Sequence, residues 1–269
     1  MNAAIRPDLG LAALCVGLAI AAAAVYRVAS LGSPFVAPRA AVRGALQLAA
    51  VALVLAASLA HLWSAILVLA VMFVAAVVTS ARRAGAGNSG PWLALALGAG
   101  VGAVLPAMLL SGVVPVEGVA VVPIGGIVLG GAMTATSLAA RRALDAVEQR
   151  RGEVEAALSL GFTERDARLE VIRPTAADAL LPGVDQTRTV GLVTLPGTFV
   201  GVLIASGSAV QAGAVQILVL SGLLLAQSCA VAVTIELVAR RRVTRWHAGD
   251  SGRGGRGVAE RPVRSATKL

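Results

Sequence analysis

The chain is a succession of apolar runs, each close to the length that crosses a bilayer, and that property leaves few folds open. The runs occupy residues 9–31, 43–60, 62–80, 92–114, 118–140, 189–208 and 212–238. A helix rises about 1.5 Å per residue, so roughly 20 apolar residues match the ~30 Å hydrocarbon core of a membrane. Inside lipid each backbone N–H and C=O must find a partner within the protein, which favours helices. The expected fold is all-α: a polytopic integral membrane protein of about seven transmembrane helices with a cytoplasmic helical loop. The second and third runs are parted only around His61, which predicts a tight helical hairpin. Composition agrees, with 57% hydrophobic and 14% charged residues, against about 45–50% and about 25% in soluble domains.

The net charge of +9 would fit a nucleic-acid binder if the bases shared one face. They fall instead in short patches between apolar runs, so no nucleic-acid partner is expected. With the N-terminus outside and seven alternating spans, every basic residue except Arg6 lands on the inner side. That matches the positive-inside rule and an anionic cytoplasmic leaflet. The expectation is a multi-pass plasma-membrane protein with an external N-terminus, a cytoplasmic C-terminus and the lipid bilayer as its solvent. Residues 9–25 are read as a retained span, not a cleaved signal. Trp63, Trp92 and Trp246 lie at span ends, where an indole prefers the headgroup layer. Residues 1–242 form the membrane domain. Residues 243–269, rich in Gly, Arg and Ser and without periodicity, are expected to be a disordered basic tail. Cys15 and Cys229 sit in apolar runs and read as small hydrophobes. The one lysine is Lys268, so the chain has no P-loop of the G-x-x-x-x-G-K-[ST] type. It is not expected to be an enzyme, and it carries no cofactor.

The longest inner segment, residues 141–188, nearly balances its charges and reads as helix, break, helix. Strong helix formers run from Asp145 to Leu160. Gly161 tolerates the left-handed backbone that ends a helix. Thr163 and Asp166 give an N-cap pattern for a second helix from Glu164 to Ile172. Pro174 is expected to close it, because the residue before a proline disfavours helix. Leu158, Leu160, Phe162, Leu169, Val171 and Ile172 form an apolar surface too small for a core of its own, which implies a docking role.

Glu155-Ala156-Ala157, then Gly161 after three residues and Pro174 at the end of the stretch, resemble the E-A-A…G loop of ATP-binding-cassette permeases. Val171 and Arg173 depart from that pattern. The resemblance implies that Glu155, Ala156, Ala157, Gly161 and Pro174 contact a separate ATPase subunit, which would hold ATP-Mg. It also implies a homodimer of permease chains. The stretches GGAMTATSLAARR, RRGEVEAALSLGFT and VGLVTLPGTFVGVLIASGSAVQAGAVQI, with RGALQL at 43–48, further resemble FetB-type iron-export permeases and plant aluminium-sensitivity permeases. The likeness runs from residue 43 to about Arg242. Where that family reads Met-Met-Thr-Gly-Gln after Leu-Pro-Gly, this chain has Thr198 to Val202. Where it reads Asn-x-Met-Asn-Ala, this chain has Gly131 to Ala135.

The resemblance implies export of iron or another metal. Alternatives are an ATP-driven permease for a non-metal small solute, and a membrane scaffold or sensor that docks a non-ATPase partner. Gly126 and Gly130, continued by Thr134 and Ser137, and Gly197 with Gly201, put small residues on one helix face, which permits close packing in lipid. Pro123 and Pro196 interrupt the same spans. A pathway or gate is expected among Gln47, Gly126, Gly130, Met133, Thr134, Ser137, Pro196, Gly197, Gly201 and Gln216. Thr136 and Gln227 add polar atoms that a metal could use. Glu236 is expected to pair with Arg240 on one helix face, and the span interiors are read as almost free of ionisable groups.

Overall fold

The computed structural model describes residues 9–58 and 62–245. These are helical nearly throughout, with no strand and an isolated bridge between Val190 and Thr194. The chain divides into two units, up to Ser64 and from Ala65 onward.

In the first unit α1 (Leu9–Val28) and α2 (Val36–Ser58) pack as a hairpin. Ser30 and Gly32 take positive φ in the turn between them. No residue of α1 is buried. A helix apolar all round and unburied in its own chain is built for lipid or for another protein. α2 starts at Val36, earlier than the expected 43, so Arg39 and Arg43 lie within its first turns. Residues 59–61, with His61, lie outside the described residues.

The second unit contains α3 (Leu62–Ala84), a 3-10 turn (Gly87–Trp92), α4 (Leu93–Leu110), α5 (Gly118–Gln149), α6 (Arg151–Ser159) and α7 (Glu164–Ala176). A second 3-10 turn (Ala177–Leu180), α8 (Leu181–Thr189), α9 (Gly197–Ser206) and α10 (Ala209–Ala239) follow. α10 is the hub, in contact with α4, α5, α7 and α9. Ala96, Ala132, Ala226 and Ala230 are fully buried along these crossings. Small side chains let the backbones approach, which is how helices associate where no water drives them together. α7 lies at one end of the bundle. Its Leu169, Val171, Ile172 and Ala176 share a core cluster with Ala140 and Leu144 of α5 and Val238 of α10.

Among the described residues five helical segments are long and apolar enough to cross a membrane: α1, α3, the first 3-10 turn with α4, α5 and α10. The expected single helix over 189–208 is absent. α8 ends at Thr189, residues 190–196 are irregular, and α9 has 10 residues, which span about 15 Å. Gly191, at φ +80, and Pro196, the extended N-cap of α9, break the run that hydropathy joined.

Two further expectations are corrected. Pro174 does not close α7, which continues to Ala176. Ile172 and Ala176 are 0% and 1% exposed, and their packing outweighs the ~3 kcal/mol that an interior proline costs. The tail does not begin at residue 243. Val243 is buried, Ser89 and Thr244 exchange hydrogen bonds of 3.0 Å, and Arg245 pairs with Asp145 and Glu148. Residues 246–269, with Trp246, lie outside the described residues.

Candidate functional site

The loop from α6 to α7 is built as its sequence implies. The Gly161 N–H donates to the Leu158 carbonyl at 3.0 Å and the Phe162 N–H to the Ala157 carbonyl at 3.2 Å. Gly161 sits at φ +89. This paired closure is the Schellman ending of a helix. Thr163 Oγ1 accepts from the Asp166 N–H at 3.2 Å and donates to Asp166 Oδ2 at 2.7 Å, so the N-cap of α7 is in place. The apolar surface expected of this loop is divided in two. Leu169, Val171 and Ile172 are buried in the bundle, whereas Leu158, Leu160 and Phe162 stay exposed at the tip.

Three arginines fix the loop. Arg150 Nε donates to Glu153 Oε1 at 2.7 Å and Arg150 Nη1 to the Val171 carbonyl at 3.2 Å, which straps α6 to α7. Hydrogen bonding to Arg150 holds the Glu153 carboxyl below the usual carboxylate range. Arg165 grips Glu236 of α10 with two parallel bonds, Nε to Oε1 at 2.7 Å and Nη2 to Oε2 at 2.8 Å. A bidentate pair is specific in direction as well as charge. The bonds to Glu236 raise the Arg165 guanidinium above its usual value. Arg168, largely buried, reaches the Ala239 carbonyl at 3.4 Å. Burial, reinforced by neighbouring Arg241, lowers its pKa. Glu236 makes its expected pair with Arg240. The Arg165 contact, made across 71 positions, was not visible in the sequence. Its only trace is a carboxylate near the end of an apolar run.

Of the residues the family resemblance implies for ATPase contact, Glu155 pairs with Arg151 at 3.1 Å. Ala156 and Gly161 are exposed, Ala157 is half-buried and Pro174 is exposed within α7. A groove of about 680 Å3 runs beside them, lined among others by Val154, Glu155, Leu158, Arg168 and Val243.

Of the expected pathway residues in the second unit, two are brought together. Met133 and Ser137 form one small knot. The Met133 carbonyl accepts from Ser137 Oγ at 2.6 Å and from Ser80 Oγ of α3 at 3.4 Å. Thr134 is exposed and bonds back to the Gly130 carbonyl at 3.0 Å. Gly126 approaches Met72, whereas Gly130, Gly197 and Gly201 have open space where a side chain would stand. The tight helix contacts in α5 are at Gly125, against Leu69 of α3, and at Gly131, against Leu223 and Gln227 of α10. Pro196 begins α9. Gln47 is exposed on α2, within the first unit. Gln216 is buried, and Thr136 Oγ1, Gln216 Oε1 and Gln227 Oε1 are buried without a partner. No group of three or more His, Cys, Asp or Glu comes together among the described residues.

α8 lies against the bundle. Ala179, just before it, packs with Ala135, Ala139 and Val231. Gly183 is buried against Gln227. Asp185 and Arg188, on the other side of α8, are 3.7 Å apart with side chains 63% and 72% exposed.

The profile of "Uncharacterised protein family (UPF0014)" matches residues 8–243. The "UPF0014 membrane protein slr1647" of Synechocystis is 34% identical over 183 residues, 66% of this chain and 71% of its own. The "Protein ALUMINUM SENSITIVE 3" of Arabidopsis thaliana is 32% identical over 158 residues, 58% of each chain. The "Probable iron export permease protein FetB" of Escherichia coli is 34% identical over 150 residues, 56% of this chain and 57% of its own. The chain therefore spans less than two thirds of the last two relatives. No solved structure matches.

Proposed function

The chain belongs to the UPF0014 family, and from that premise we propose that it is the membrane-spanning permease subunit of an ATP-binding-cassette exporter. Its cargo is a metal ion, iron in the first instance, as the name of the Escherichia coli relative describes for that protein. Two copies of the chain form the permease. Separate ATPase chains bind ATP-Mg and seat on the α6–α7 tip from the cytoplasm, and this chain hydrolyses nothing itself. The N-terminus lies outside, the C-terminus inside.

One observation carries the reading. The tip is an exposed apolar surface at Leu160 and Phe162, and the helix behind it is locked to α10 through Arg165 and Glu236. A partner that closes on the tip therefore moves the longest helices of the bundle and not a free loop. The non-metal alternative keeps one support: Thr198 to Val202 stand where the family's Met and Gln residues would give metal ligands.

Metal content of cells lacking the chain, determined element by element, tests the cargo. One metal should accumulate and should return to its normal level on complementation. Gly161→Asp places a charged side chain at a backbone of φ +89, a conformation that costs a non-glycine residue about 1–2 kcal/mol. The variant should reach the membrane in normal amount and fail to restore metal export. Full export by Gly161→Asp would defeat the coupling role of the turn. Unchanged content of every metal would defeat the cargo.

A further inference from the structure

Four arginines from three parts of the second unit face one concavity. It has a volume of about 500 Å3 and lies between the end of α3, the turn after it, α5 and the chain beyond α10. Ala81, Arg82, Arg83, Gly85, Arg141 and Arg245 line it, and no acid does. Arg245 is already matched, by Asp145 and by Glu148 at 3.4 Å. Arg82, Arg83 and Arg141 make no ion pair among the described residues. Gly85 takes positive φ in the turn, with open space where a side chain would stand, so the wall there is bare backbone.

Positive-inside topology accounts for arginines at this end of the bundle wherever they point. It does not require them to converge. Arg82 and Arg83 end α3, Arg141 belongs to α5 and Arg245 follows α10. Like charges gathered in one concavity repel one another, and they focus their field on an anion that enters it. A guanidinium fork matches the oxygens of a phosphate group in pairs. Depth indicates where that phosphate comes from. α3 is long and apolar enough to cross a membrane, and Arg82 and Arg83 occupy its last turn, at the edge of the hydrocarbon. Trp92 ends the next turn, with the Arg242 guanidinium 4.9 Å from its ring centre, and an indole prefers the headgroup layer. Along α3, Val71, Val74, Val78 and Arg82 share one face at helical spacing, and all four are exposed. An acyl chain laid on the three valines brings its headgroup to Arg82.

We propose that this concavity binds the phosphate group of an anionic phospholipid at the α7 end of the bundle, with Arg82, Arg83 and Arg141 as its ligands. In the orientation given above this is the cytoplasmic leaflet, which is the anionic one, and basic pockets between helices on that side take such headgroups. The site requires neither the cargo nor the ATPase partner, so it goes beyond the permease reading. Three unmatched guanidiniums favour a lipid with more than one negative charge. Cardiolipin should therefore bind ahead of phosphatidylglycerol, and zwitterionic phosphatidylethanolamine last. A lipid held there ties the end of α3 to α5 and to the chain leaving α10.

The test uses the full chain, purified in detergent and stripped of lipid. Cardiolipin, phosphatidylglycerol, phosphatidylethanolamine or sodium phosphate is then added, with bound lipid read by native mass spectrometry and stability by melting temperature. Cardiolipin should stay bound and raise the melting temperature, and phosphatidylethanolamine should do neither. Arg82→Gln with Arg83→Gln and Arg141→Gln should lower cardiolipin retention by about tenfold or more, as the loss of charge-assisted bonds implies. Arg141→Gln alone should lower it several-fold, and this milder change decides the matter where the triple variant does not fold. Arg27→Gln with Arg39→Gln and Arg43→Gln, which removes the same charge from the first unit, should keep wild-type retention. Equal retention in the pocket variants and the wild type overturns the site. An equal loss in both triple variants overturns it too, by reducing the effect to net charge. Stabilisation by millimolar phosphate that equals that of cardiolipin, and vanishes in the pocket variants, overturns the lipid as the source and assigns the arginines to a soluble phosphate compound.

Discussion

At Gly183 the missing side chain is a requirement of space. A methyl group there would stand 1.9 Å from Gln227 Oε1 and 2.8 Å from its Cδ. Gln227 is itself buried, 7% exposed, with its amide end between Gly183 and Gly131 of α5, so any shift it makes repacks the crossing. Overpacking of this kind typically costs about 1–3 kcal/mol. Gly183→Ala should therefore lower the melting temperature of the purified protein in detergent. Adding Gln227→Ala should recover much of the loss, because two changes in direct contact are not additive. Equal losses in the single and double variants would show that the close approach is not the cause.

In the proposed coupling α7 is the element through which the tip acts on the bundle, and its attachments differ in kind. Its apolar face is buried whatever the pH, but its directional contacts are charged. Arg165→Ala removes the bidentate grip and leaves Glu236 with Arg240 alone. The buried face of α7 keeps the variant folded, while changes along a coupling route alter coupling by several-fold. Transport per ATP hydrolysed should fall by that order with ATPase binding unchanged. Equal transport in Arg165→Ala and wild type would place the linkage elsewhere. At the α6 end, the Arg150 bonds hold the Glu153 carboxyl below its usual range. A depressed carboxylate contributes stability above its unfolded pKa and loses it as pH falls through the folded value. Hydrogen exchange across residues 150–163 should accordingly be insensitive to Glu153 titration from neutral pH down to the ordinary glutamate range, about 4.3. Exchange should rise below that range, and Arg150→Gln should flatten the dependence, because the bond that lowers the carboxyl in the folded state is then gone. Much of this element could be read in advance: Gly161 and Thr163 carry their turn and cap in local chemistry. Pro174 could not, because its tolerance depends on the burial of Ile172 and Ala176 against helices distant in sequence. The split between Leu160, which is exposed, and Leu169, which is buried, is also tertiary, since both are leucines in one short amphipathic stretch.

For the whole molecule, the apolar runs located α1, α3, α4, α5 and α10 because an averaged hydropathy responds to long uniform helices. The same averaging merged residues 190–195 with α9, since Leu192, Val193 and Leu195 are as apolar in an irregular backbone as in a helix. Contacts then decide how often the chain runs the length of the second unit. Glu236 near the end of α10 binds Arg165 of α7, and Thr244 beyond it binds Ser89 between α3 and α4, so α10 finishes at the end of the bundle where α7 lies. A straight helix of 31 residues is about 46 Å long and must begin at the opposite end. The chain therefore runs from one end of this bundle to the other between Leu181 and Ser208, although no single helix there is long enough to do so. α8 and α9 contribute about 13 Å and 15 Å, and 190–196 joins them. A broken crossing of this type differs from a re-entrant dip in a measurable way. Topology reporters inserted at Gly112 and Gly207, both turn positions with positive φ, should be external, and those at Ser89 and Gly161 cytoplasmic. A cytoplasmic signal at Gly207 would make α9 a re-entrant hairpin and would remove α8 from the membrane interior.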